Sequence, residues 1–476
     1  MILSKLYNSS IFTSWISQLI KVVFSLVTLP IVLKQFSVEQ VNVWFLFITI
    51  VGIGQGIQYG FNTTFVRFFS YSFSGVRIKE FFDIKNKLEA SLSKDVDKQE
   101  FSDLYVVLKR TFLFLTLIYF FLLAVFGTWG VIKPIGFLEN YQEGWIAWLV
   151  IILSTSINLY MSIYQIYLRG INKVALINRV ITIVSFFGIF LILFVGIYFP
   201  SLLNIILVVQ FIAIMNSLCL YFASQKSNDS FLQKIPKSFF KKEVFNEVWD
   251  SAWKSGLTTI FATVIKHISG VIVAQLFTPI SSASFLLTKR LFELLESFTM
   301  VTFQAKIPEI AAFRGRGDFK KLIPLLKKVL YLSYGIFVIG IVVILFFGEN
   351  LISIIKGNAE LGGISLLLAF TYSTLISRWA GINLAISNQA NNVIEHINAS
   401  IVFVIYFLFL GLLYKELGIV VFPLAALVST LATAPFIIKR TYKTLNTTFI
   451  EFEKYMFIPI IIIVSLISLV YISIEI

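Results

Sequence analysis

The fold class this sequence predicts is an all-α polytopic membrane protein: two six-helix lobes, parallel pseudo-repeats around a central cavity, plus a thirteenth C-terminal helix. Three observations predict it. Of 476 residues, 58% are hydrophobic and only 13% are charged, whereas an average soluble domain carries about 25% charged residues. The apolar residues form thirteen continuous stretches of about 20 residues, the length of a spanning helix, rather than the ten-residue alternations of a strand barrel. The basic residues collect on one side of those stretches. With the N-terminus placed inside, 30 of the 39 Lys and Arg lie at Lys5 and within 67–110, 169–179, 226–254, 306–328 and 439–454. The outer connections hold only Lys34, Lys133, Lys356 and Lys415. This is the asymmetry of the positive-inside rule. The net charge of +14 therefore reads as topology and contact with anionic lipid, not as nucleic-acid binding.

The elements follow in order. The first span, 11–33, is long for a signal-peptide core and lacks a small-residue cleavage site, so it reads as a retained helix. It carries Lys21 and, late in the span, Pro30, which breaks the hydrogen-bond ladder and permits a bend; Pro30 is a gating candidate. Spans 41–65 and 111–132 flank a charged inner segment, 66–110, expected to extend both helices into the cytoplasm. Span 144–168 opens with Trp145 and Trp148, which read as interface anchors. Spans 175–198 and 201–222 complete the first half, and the second of them carries the single cysteine, Cys219, expected as a small packed residue. Residues 238–252 place Phe240, Val244, Phe245, Val248 and Trp249 near one helical face, behind a Ser238 cap, as an interfacial helix would. The second half comprises 255–277, 282–304, 329–348, 362–386, 396–414 and 417–438. Span 456–474 follows outside the pairing and puts the C-terminus outside. The expected domains are 1–224, a linker at 225–252, 253–440, and an additional helix within 441–476.

The halves correspond by position. FSVEQVNVWFLF (36–47) and FTPISSASFLLT (277–288) lie between the first two spans of each half. RGINKVALINR (169–179) and SNQANNVIEH (387–396) join the fourth span to the fifth. Six spans return the chain to its starting side, so the halves share an orientation, and a substrate path is expected between them.

Five cations, Lys21, Lys266, Lys289, Arg290 and Arg378, lie at bilayer depth. A charge there costs roughly 2.5–3.5 kcal/mol on insertion scales, so it faces a bundle interior or a wet cavity. Few acids accompany them, which suits an anionic substrate. Helix 282–304 is the densest stretch. At about 100° per residue, Glu293 lies about 40° from Lys289 and Glu296 about −20°, so the three form one stripe flanked by Arg290. One reading is a self-neutralising ladder. The other gives Lys289 and Arg290 to the substrate and leaves Glu293 or Glu296 as ion-coupling candidates for a proton or sodium. Guanidinium suits phosphate bidentately, whereas Lys acts as a point charge. No phosphate-binding loop, HExxH motif or cysteine pair occurs, and His267 and His396 are too few for a histidine metal centre. Neither an enzyme, a cofactor nor a metal site is expected.

SASFLLTKRLFELLESF…KIPEIAAFRGRGDFKKL (282–322), with YLRGINKV (167–174), resembles the Wzx-type O-antigen flippases, polysaccharide repeat-unit flippases of the MATE-like MOP superfamily. The resemblance implies a V-shaped cavity lined by the first and seventh helices. It also implies undecaprenyl-pyrophosphate-linked oligosaccharide as substrate, moved from the cytoplasmic to the outer leaflet by alternating access. The expected partners are that lipid-linked glycan, the lipid bilayer and polysaccharide-assembly proteins, in a bacterial cytoplasmic (inner) membrane. Position by position it carries over to Lys266, Lys289 and Arg290 only; Lys21 and Arg378 rest on their depth. A lipid II flippase, a MATE-type drug or cation exporter and a membrane-embedded O-antigen polymerase are the alternatives. An exporter of cations favours an acid in the first or seventh helix, where this chain has Lys21 and Lys266. A polymerase usually brings a sizeable outer loop, which is missing.

Overall fold

Each predicted span falls largely within helix, although 111–132 runs through a π turn and 417–438 through a 3-10 turn, and the helices are generally longer than the apolar stretches that announced them. The computed structural model describes Tyr7 and residues 9–73, 97–226, 236, 238–315, 318–355, 359–388 and 395–475. Its first unit is Met1–Val271 and its second Ile272–Ile476. The first contains α1 (Ser10–Gln35), α2 (Val38–Phe73), α3 (Lys98–Leu122), α4 (Thr128–Gly136), α5 (Tyr141–Gly170), α6 (Val174–Tyr198), α7 (Leu202–Lys226) and most of α8 (Lys242–Leu276). The second contains α9 (Pro279–Gly315), α10 (Phe319–Ile355), α11 (Ile364–Asn388), α12 (Glu395–Leu417), α13 (Val421–Leu445), the short α14 (Phe449–Glu453) and α15 (Phe457–Glu475). Ten stretches among the described residues are long and apolar enough to cross a membrane, and the chain is a multi-pass membrane protein. Part of the expected extension of α2 and α3, residues 74–96, lies outside the described residues, as do 389–394 of the second inter-half match and 316–317 of the basic motif.

Polar residues placed at the helix ends decide where the chain turns. Ser9, Asp97 and Asn140 cap α1, α3 and α5, each side chain accepting from backbone N–H groups of the first turn, as orphan donors require. Glu143 Oε1 also accepts from Leu203 N at 2.9 Å, which ties the start of α5 to the start of α7. Asn172 takes a left-handed backbone, φ 60°, and Lys173 N donates to Leu168 O at 2.8 Å, so α5 reverses into α6 within a few residues.

Within the first unit, α1 packs on α6 and α5 on α7. The α1–α6 seam is pinned by a buried amide: Asn178 Nδ2 donates to Ser14 Oγ at 2.7 Å, and Ser17 Oγ donates to Asn178 Oδ1 at 3.4 Å. Such hydrogen bonds hold helices together where water offers no alternative partner. Between α3 and α4 the helix widens into a π turn, Leu123–Gly127. Trp148 corrects its sequence reading. It is 2% exposed, stacks on Phe47 at 5.6 Å and donates to Thr128 Oγ1 at 2.9 Å, so it is a core residue whose polar tip is satisfied internally, not an interface anchor.

The segment expected as an interfacial helix is continuous with the seventh span from Lys242 onward. Its aromatic face packs inward: Trp249 stacks between Phe245 and Phe61, at 5.4 and 5.9 Å. The residues before it are latched to the start of α3. Lys241 Nζ meets Asp103 Oδ2 at 2.6 Å, Ser238 Oγ donates to Asp103 Oδ1, and Ser102 Oγ donates to Pro236 O at 2.5 Å. The Asp103 hydrogen bond raises the pKa of Lys241 above its ordinary value. The latch therefore holds across neutral pH and weakens as pH rises through that raised value. Asp103→Asn is expected to speed tryptic cleavage after Lys241 several-fold in vesicles exposing the inner face, since cleavage follows local opening. An unchanged rate would show that the linker is held by something else.

In the second unit α9 packs on α10, α13 on both α11 and α12, and α15 on α10 and α11. Trp379 and Phe457 stack at 4.5 Å and Phe346 meets Tyr471 at 5.5 Å. The thirteenth span is thus a packed member of this unit.

Candidate functional site

Lys21 opens onto a recess of about 420 Å³ enclosed by α1, α2, α3, α5, α6 and α7. The lysine side chain is exposed into that space and has no hydrogen bond or ion pair among the described residues. Roughly half of the lining is polar and none of it is acidic. One helix supplies much of the polarity: Thr155, Asn158, Ser162 and Gln165 recur at helical spacing along α5 and so share a face. Opposite them α7 contributes Gln210, Asn216 and Ser217. Ser217 Oγ donates to Asn158 Oδ1 at 2.7 Å, and Ser154 Oγ to Gln210 Oε1 at 2.8 Å. These bonds engage the amide oxygens and leave amide N–H donors. Asn216 Oδ1 is buried without a partner among the described residues.

Charge at depth marks Lys21 in the sequence but does not mark these neutral amides. Their signal was present as a polar stripe of helical period inside apolar spans. Gly54 adds to the recess by leaving room for a neighbour: a Cβ there would lie 2.1 Å from the Tyr119 hydroxyl.

The other predicted residues do not join Lys21. Pro30 lies within α1, which continues to Gln35; its missing N–H leaves the Leu26 carbonyl without that helical partner. Lys266 is exposed on α8, and its neighbour His267 is half-buried. The His267 ring lies over Gly52, where a Cβ would come within 2.6 Å of it.

Lys289, Arg290, Glu293 and Glu296 all lie on α9. Lys289 is 7% exposed. Arg290 Nη1 pairs with Glu293 Oε2 at 3.3 Å, so part of the ladder is self-neutralised and Glu293 is turned to Arg290. Arg378 is enclosed, 2% exposed. One nitrogen, Nη2, donates to Thr299 O at 2.6 Å and to Ser333 Oγ at 2.7 Å. Its Nε and Nη1 are buried without partners among the described residues. Close by in the chain order of α11 sits Trp379, whose Nε1 donates to Glu453 Oε1 at 2.8 Å; Tyr442 Oη donates to the same oxygen. Glu453, 2% exposed, was not singled out from the sequence, because it lies within the last basic inner segment and reads there as a solvated charge.

No protein-family model matches the chain, and no curated sequence matches it. Solved structures do. An inward-facing multidrug resistance MATE family transporter of the MOP superfamily superimposes with a TM-score of 0.62 at 13% identity, covering 92% of this chain and 99% of the other. A MOP superfamily transporter from Pyrococcus furiosus, described as having a binding pocket of reverse polarity, gives 0.57 at 13%, covering 93% and 98%. The lipid II flippase MurJ in an inward closed conformation gives 0.55 at 14% and covers 98% of both chains. The chain therefore has the MATE-like fold.

Proposed function

We propose that this protein is a flippase that moves an undecaprenyl-pyrophosphate-linked oligosaccharide, an O-antigen or related polysaccharide repeat unit, from the cytoplasmic to the outer leaflet by alternating access. The observation that carries the reading is a MATE-like fold whose recess presents Lys21 and no carboxylate. A recess that took cations would need the opposite charge, because an uncompensated ammonium in a low-dielectric site repels them. The likeness to a lipid II flippase over nearly the whole chain supports a lipid-linked cargo. Lys289 and Arg290 are the residues assigned to the diphosphate; Lys266 and Arg378 are further substrate-binding candidates. Glu296, and Glu293 when released from Arg290, are the ion-coupling candidates. The setting is a bacterial inner membrane with the N-terminus cytoplasmic.

The test is the sidedness of the lipid-linked glycan in cells that lack this protein and any redundant flippase but retain the glycosyltransferases. Accumulation in the cytoplasmic leaflet is expected, reversed by the intact chain. The Lys289→Ala/Arg290→Ala double variant is expected to lower the rate at least tenfold, since each charge-assisted hydrogen bond contributes about 1.5–3 kcal/mol. Arg290→Lys, which keeps the charge, should retain part of the activity. Normal delivery of the glycan without the protein overturns the proposal. Rescue of lipid II transport, and not of this glycan, would move the protein to the lipid II reading.

A further inference from the structure

The recess of the first unit is larger and more varied than an inorganic anion needs. Its volume of about 420 Å³ falls within the roughly 300–1,000 Å³ of small-molecule sites. Interhelical polar pairs alone would be satisfied pairs, the ordinary glue of membrane helices. Several polar groups here are not. Gln55, Gln165 and Ser185 line the space and have no hydrogen bond among the described residues, and neither does Lys21. The amide N–H donors left on Asn158 and Gln210 add to them. Phe24, Leu159 and Met161 supply apolar wall between these groups. Neutral amides and hydroxyls spaced along apolar walls match the alternating hydroxyls and C–H faces of a pyranose ring. The single lysine matches one negative charge. A diphosphate carries more than one, and its cations stand elsewhere, on α9.

We infer that this recess is the subsite for a sugar residue bearing a carboxylate, so that the cargo of this flippase is an acidic glycan. The inference rests on the flippase reading and specifies the cargo that reading leaves open. The carboxylate pairs with Lys21 Nζ, and the ring hydroxyls are read by Asn158, Gln165 and Asn216.

The experiment is a thermal-shift titration of the full chain in detergent, at constant ionic strength, with sodium glucuronate, glucuronamide and sodium acetate. Glucuronate is expected to raise the Tm saturably. Glucuronamide, which has the ring without the charge, and acetate, which has the charge without the ring, should bind at least about tenfold more weakly, the scale of one lost charge-assisted hydrogen bond. Lys21→Met should lose glucuronate selectivity over glucuronamide, and Gln165→Leu should weaken both sugars alike while leaving acetate unchanged. Acetate binding as tightly as glucuronate overturns the proposal in favour of a plain anion site, and so does an undiminished glucuronate shift in Lys21→Met. Because the readout is binding, its failure is separate from that of the flippase reading. A chain that moves its glycan but ignores glucuronate sinks this inference alone; one that binds glucuronate but moves no glycan sinks the transport reading.

Discussion

Glu453→Leu is expected to lower the thermal midpoint of the protein more than any other single change to a charged residue. The Glu453 carboxylate is the shared acceptor for Trp379 Nε1 and Tyr442 Oη, and all three side chains are buried. Leucine leaves both donors in place with nothing to receive them. A buried donor stranded in this way costs about 1–3 kcal/mol, so the pair amounts to about 2–6 kcal/mol. Membrane interiors soften such losses, because the unfolded chain also finds partners there, which places the expectation toward the lower end. Glu453→Gln keeps an acceptor oxygen and should recover most of the loss. The measurement is the Tm of the detergent-purified variants by intrinsic fluorescence. Equal midpoints for the leucine variant and the parent would mean that Trp379 and Tyr442 are satisfied by water, and that this cluster does not hold α11, α13 and α14 together.

Gly60→Ala is expected to be nearly as damaging, for a steric reason. A Cβ at Gly60 would lie 2.8 Å from the Cα of Gly256 and 3.1 Å from Thr259 Cβ. The first of these is backbone and cannot rotate aside. Four residues away on the same face of α2, Gly56 meets Thr263, with 2.2 Å to its hydroxyl, and Gly52 meets His267. The three glycines form a small-residue face that lets α8 come close, as small-xxx-small faces do in bilayers. Ser255 Oγ, which donates to Gly60 O at 3.0 Å, depends on that approach. Overpacking costs about 1–3 kcal/mol, and a larger residue such as Leu should prevent the seam from forming. Gly335→Ala on α10 is the control: nothing stands within 4 Å of its Cβ position, and the helix gains up to about 1 kcal/mol from alanine. Opposite signs for these two substitutions support the close seam; matching signs would refute it.

The spans were legible because bilayer length and apolarity act residue by residue, and the basic inner segments ordered them. The cations were legible because charge at depth is rare. Their surroundings were not. Whether Arg290 faces a substrate or Glu293 is decided by side-chain rotamers, and three residues of sequence spacing allow both. Trp148 lies near the end of a span, where an interface anchor belongs, and only the arrival of Phe47 and Thr128 from other helices makes it core. The break expected between an interfacial helix and the seventh span is missing because nothing in 242–255 breaks a helix: no proline and no glycine occurs before Gly256. The amides of the recess come from three spans, and their convergence is a tertiary event.

The π turn between α3 and α4 inserts one residue into what would otherwise be a uniform helical register. One residue is worth about 100° of rotation, and the wide turn absorbs it, so the residues beyond it face the way they would if the chain were one residue shorter. Upstream, Phe101, Leu104, Leu108 and Phe112 are buried; downstream, Val131 and Ile135 are. Uniform winding would set these two buried stripes on nearly opposite sides of the rod, and the wide turn brings them to neighbouring sides. A deletion of one residue within Leu123–Gly127 would restore uniform winding and leave Val131 and Ile135 on the side they now face, whereas one added residue would swing them about 100° away. In this stretch a one-codon gap should be forgiven more readily than a one-codon insertion.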